Sequence, residues 1–146
     1  MRAAIHVLAG NTEMAHDETA RTRDLLESRL RERPEDVPKM LQLSCVNVAL
    51  NRNDQAVRLA HHATELVPVE KDALLGPTYL ACVAEIEART GDAGAAVKTL
   101  QRLLSMPIGY YISIQQLKID PVWDSIRKDQ GFQQLLLGQE LIGPNM

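Results

Sequence analysis

Apolar residues recur at spacings of three and four along most of this chain, and the runs are separated by turn residues and prolines. Met40, Leu43, Val46 and Leu50 form one series, and Leu80, Val83, Ala84 and Ile86 another. This period belongs to helices with one buried face, whereas a half-buried strand alternates at every second residue. The pattern predicts helices over residues 12–33, 37–50, 54–66, 73–90 and 94–105. In the first, Asn11 or Thr12 is the N-cap and Leu25, Leu26 and Leu30 share a face. Pro34-Glu35-Asp36 stops that helix and opens the next. Ala56, Ala60 and Ala63 make a small-residue stripe that lets a neighbouring helix approach closely. Pro77 falls near the start of its helix, where a missing N–H is tolerated. Beyond residue 112 the elements shorten: a helix over 112–119, another opened by Asp120-Pro121, and a third capped by Asp129 that reaches Leu137.

The chain also repeats itself. Asn51-Arg52-Asn53-Asp54-Gln55-Ala56-Val57 runs on to Pro68, and forty positions later Gly91-Asp92-Ala93-Gly94-Ala95-Ala96-Val97 runs on to Pro107. Repeats of this size are stacked helical units that cannot bury their apolar faces alone. The 146 residues then divide, within one domain, into an incomplete helical unit (1–36), repeats at 37–70 and 73–107, and a C-terminal cap at 112–138. The single Trp (Trp123) and single Phe (Phe132) both fall in the last segment. Large rings there are expected to plug the open core at one end of a solenoid.

These features resemble the tetratricopeptide repeat family. The likeness rests on a small residue midway along each first helix (Ser44, Ala84), a turn (Asn51, Gly91), an alanine opening each second helix (Ala56, Ala96) and the terminating Pro68 and Pro107. The family unit is about 34 residues, so the longer spacing is a departure, absorbed between Pro68 and Leu75, where it lengthens a loop and the following helix. Asn47 and Glu87, where the family prefers a large apolar residue, are a second departure. A narrower resemblance covers residues 25–136. Leu66-Val67-Pro68-Val69-Glu70-Lys71-Asp72-Ala73-Leu74-Leu75-Gly76-Pro77, and the ending from Leu117 through Asp120-Pro121-Val122-Trp123 and Arg127 to Phe132, are similar to C-terminal repeat regions of multidomain bacterial signalling proteins. There the repeats follow a protein-kinase or winged-helix domain. That group usually has proline where Ser125 stands and Pro-Arg where Gln130-Gly131 stand.

The resemblance implies an all-α fold, an antiparallel helix-hairpin solenoid with a short helical cap. It also implies a concave binding face built from first helices. The matching positions are Leu41, Cys45, Val48 and Ala49 in one repeat, and Thr78, Ala81, Glu85, Ala88 and Arg89 in the other. Leu41 and Val48 suit an apolar side chain, Glu85 a basic one and Arg89 a carboxylate. The paired Lys and Asn residues with which some relatives clamp an acidic chaperone tail are missing, so such tails are disfavoured. The function implied is non-catalytic protein or peptide binding within a cytoplasmic bacterial regulatory protein. Self-association through an apolar flank, or service as the regulatory region of a serine/threonine kinase, is the alternative. On this reading the chain is the tail of a larger polypeptide or a stand-alone relative.

Composition narrows the picture. Aromatics are 3% of residues, so the core must be aliphatic and alanine-rich, which favours helix packing over a sandwich of strands. A net charge of −3 provides no footprint for nucleic acid. No apolar run approaches the roughly 20 residues of a membrane span. The apolar stretch after Met1 is broken by His6 and followed by acidic residues, unlike an export signal, and reads as the end of a helix. The alternating charges of residues 17–33 read as a solvated face with weak pairs.

Catalytic or metal chemistry is not expected, and no cofactor is implied. His61 and His62 are adjacent, so on a helix they diverge, and His6 and His16 add no ligand spacing. Cys45 and Cys82 read as reduced, mostly buried thiols, with a disulfide open to them only if their Cα atoms come within about 7 Å. There is no Gly-rich phosphate loop or kinase motif. Asp120 is expected to cap its helix, and Arg127 to stack on Trp123 one turn earlier.

Overall fold

The computed structural model describes residues 12–106 and 112–138. The helix end expected near Met1, His6 and the stop at Pro107 lie outside the described residues. Among the described residues the protein is all-helical, with α1 (Thr12–Glu32), α2 (Val37–Ala49), α3 (Asn53–Leu66), α4 (Leu75–Arg89), α5 (Ala93–Leu104), α6 (Ile114–Ile119), a 3-10 turn (Pro121–Trp123) and α7 (Gln130–Leu136). The chain groups into two compact units, Met1–Leu66 and Val67–Met146. Each contains one of the two repeated hairpins.

In the first unit α1 packs on α2, and α2 on α3. Asp36 starts α2: its Oδ1 accepts the Lys39 backbone N–H at 3.2 Å and its Oδ2 accepts Lys39 Nζ at 2.6 Å. The side-chain bond to Lys39 holds the Asp36 carboxyl below its ordinary 3.8. Val37, Met40, Leu41 and Leu43 of α2 are buried with Leu26 of α1 and Ala56, Ala60 and Ala63 of α3. Leu25 does not join its neighbour inside; it is 58% exposed. Adjacent residues on a helix point about 100° apart, so one of the pair can be buried while the other turns to solvent.

Two polar side chains are buried with this core. Ser44 Oγ donates to the Ala56 carbonyl at 3.0 Å, tying α2 to α3. Asn47 Oδ1 accepts from Arg23 Nε at 3.1 Å, tying α2 to α1. The Arg23 guanidinium also pairs with Glu27 and with Asp24. The solvated charged face expected of α1 therefore excludes Arg23, whose side chain keeps 17% of its exposure.

α2 ends at an Asn51 with φ of 57°. Its N–H donates to the Val48 carbonyl at 3.0 Å and that of Arg52 to the Asn47 carbonyl at 2.8 Å. These bonds satisfy carbonyls that a helix end leaves open, and the left-handed residue they require is cheapest as Gly or Asn. Forty positions on, Gly91 has φ of 88° and repeats the pattern: its N–H donates to Ala88 O at 3.1 Å and that of Asp92 to Glu87 O at 3.0 Å. Asp92 then caps α5 by accepting the Ala95 N–H at 2.9 Å.

In the second unit α4 packs on α5 and on the 3-10 turn, while α7 packs on α5 and α6. Leu80, Ala84, Leu100, Leu117, Trp123 and Phe132 share one core. The Trp123 and Phe132 rings stack, with centroids 6.3 Å apart and planes at 28°. The buried Glu87 accepts from Thr99 Oγ1 at 2.8 Å, across the α4–α5 hairpin. The Pro68 carbonyl accepts from the N–H groups of Lys71 and Asp72, both at 3.0 Å, turning the chain after α3. Asp72 Oδ1 accepts the Leu74 and Leu75 N–H groups at 2.9 and 2.8 Å, which starts α4 two residues later than the pattern predicts. A Cβ on Gly76 would stand 2.6 Å from Val69 Cα, so only glycine lets the preceding segment lie against the helix.

The closing elements are set by caps. Ser113 and Gln116 form a reciprocal capping box at α6. Asp120 accepts the Val122 N–H at 2.9 Å, and Asp129 the Phe132 N–H at 3.0 Å. Arg127 differs from expectation. Its guanidinium donates to the carbonyls of Lys118 at 2.7 Å and Asp120 at 2.8 Å and to Asp124 Oδ1 at 2.8 Å, while Phe132 is the ring stacked on Trp123. The open carbonyls at the end of α6 attract a fork of N–H donors more strongly than a ring face does.

Candidate functional site

The expected binding positions fall in both units. Leu41, Cys45, Val48 and Ala49 lie on α2 in the first, and Thr78, Ala81, Glu85, Ala88 and Arg89 on α4 in the second. Within each unit burial separates those that offer surface from those that do not. Leu41 is 6% exposed, one turn from the buried Val37 and Ser44, and is an interior residue. Ala81 and Ala88 are likewise buried. They follow the arc of Leu80 and Ala84 rather than the outer face.

Cys45 corrects a second expectation: it is exposed, not a buried thiol. The buried arc of α2 runs through Met40, Leu41, Ser44 and Asn47. Cys45 stands one residue beyond Ser44 and so rotates off it. Val48 is half-buried and Ala49 exposed beside it. Neither Cys45 nor Cys82 is in a disulfide.

On α4 the outer stripe reads Thr78, Cys82, Glu85, Arg89, at helical spacings of four, three and four. The first three are half-buried and Arg89 is exposed. Cys82 is the member that sequence reasoning missed; its spacing from Thr78 and Glu85 was the available signal. The Thr78 hydroxyl donates to the Leu74 carbonyl at 3.1 Å, which steadies the first turn. Burial pushes the Glu85 carboxyl above its ordinary 4.5, the charge of Asp120 pushes it further, and Arg89 opposes both. Asp120 reaches this neighbourhood because it opens the 3-10 turn that packs on α4. The C-terminal segment thus shapes the electrostatics of the α4 face.

The repeat residues Ser44, Ala56, Ala84 and Ala96 are fully buried, and Trp123 and Phe132 nearly or wholly so. Their place is the interior of a hairpin. His61 and His62 are exposed on α3, where His62 lies 3.3 Å from Glu65. Among the described residues no three of His, Cys, Asp or Glu come together as a metal-binding set. No described helix is long and apolar enough to cross a membrane. Compared with family models, curated proteins and solved structures, the chain finds no match.

Proposed function

We propose that this chain is a non-catalytic interaction module of tetratricopeptide-like helical repeats, which presents the outer face of α4 to a peptide or helix of a partner protein. The observation that carries this reading is the contrast between the two sides of α4. Its inner side is packed around Leu80, Ala84 and Trp123, while its outer stripe holds Glu85 and Arg89, opposite charges one turn apart, next to Thr78 and Cys82. A face held rigid by packing loses little conformational freedom on binding. Glu85 suits a basic side chain and Arg89 a carboxylate.

The matching helix ends at Asn51 and Gly91 support the repeat architecture. The narrower resemblance of the ending supports reading such a module as part of a cytoplasmic bacterial regulatory protein. The test is pull-down with the wild-type chain against a Glu85→Ala/Arg89→Ala variant whose helicity is checked by circular dichroism. Loss of a partner captured by wild type, with the fold retained, supports the reading. Equal recovery of every partner moves the binding face off α4.

A further inference from the structure

We draw no further inference here: the strongest candidate, the open depression at the start of α3 lined by Asn51, Arg52, Asp54 and Arg58, is a helix N-terminus with exposed side chains and no second observation that points to a ligand.

Discussion

On α3 the buried residues are Ala56, Ala60 and Ala63, whereas forty positions on, α5 buries Ala96, Leu100 and Leu103, and Val97 as well. The turns leading into these helices hardly differ. Asn51 and Gly91 both adopt positive φ, and the two N–H groups at each end return to equivalent carbonyls. The turn is a backbone solution that many side chains accept, while the interior is set by what has to be filled. In the second unit Trp123 and Phe132 share the core with Leu100, and large residues occupy the space between α5 and the closing elements. Asn47 and Glu87 teach the same lesson in polar form. Both are buried at the equivalent place, yet Asn47 is bonded by Arg23 of the preceding helix and Glu87 by Thr99 of the following one. A buried polar group is tolerated when it is hydrogen-bonded, and different neighbours meet that need in the two copies.

The comparison breaks most readily at the rings. Phe132→Ala should remove about 3 to 5 kcal/mol of stability, because it empties a fully buried ring site in the second unit. A urea melt reads this, and a loss below about 1 kcal/mol would mean that the closing elements are not part of that core. Leu100→Ala, which gives α5 the residue that α3 has at Ala60, should cost about 2 to 5 kcal/mol. If the variant melts like wild type, the interiors are interchangeable and the volume argument fails. The reverse change, Ala60→Leu, should cost about 1 to 3 kcal/mol by overpacking.

Two smaller changes sharpen the picture. Thr99→Val removes the hydroxyl that donates to Glu87 Oε2 and should cost about 1 to 3 kcal/mol, since a buried acceptor loses one of its partners. No loss in a thermal melt would show that the hydroxyl contributes nothing to burying Glu87. At the turn, Gly91→Ala should cost about 1 to 2 kcal/mol for placing a Cβ in left-handed backbone. Gly91→Asn, borrowing the residue of the first turn, should cost less. Equal losses for Ala and Asn would remove backbone conformation as the reason for glycine.

The helices were legible in the sequence because their ends are written in local chemistry. Asp36, Asp92, Ser113, Asp120 and Asp129 each accept a nearby N–H, and the predicted boundaries differ from the observed ones by only one or two residues. The rest depends on neighbours that periodicity does not name. A stripe of apolar residues says that a helix buries one side, but the width of that side depends on how many helices cover it. Leu41 went inside and Cys45 outside for this reason. Arg127 illustrates another gap: a spacing of four brings a ring within reach, yet the carbonyls at the end of α6 come from a different part of the chain. On α4 the positions Thr78, Glu85 and Arg89 came from the family resemblance together with Ala81 and Ala88, which are buried, while the influence of Asp120 on Glu85 required the fold.

Glu85 provides the finest test, because it links the α4 face to the closing elements. Its carboxyl is raised above 4.5 by burial and then by Asp120, so the folded chain holds a proton there more tightly than the unfolded chain does. Between the ordinary and the raised value the native state carries more protons, and stability falls as pH rises through that window. The favourable contribution is complete below the ordinary value and gone above the raised one. Glu85→Gln cannot ionise, and it should therefore melt at a higher temperature than wild type at pH 7, with the gap closing toward pH 4. Because the side chain is partly solvated, the gain is the smallest of this series. A gap that stays constant across this range would assign the effect to packing rather than charge. A gap of the opposite sign at pH 7 would mean that the attraction to Arg89 outweighs burial and Asp120 together, and that the α4 face holds its carboxylate as a settled ion pair.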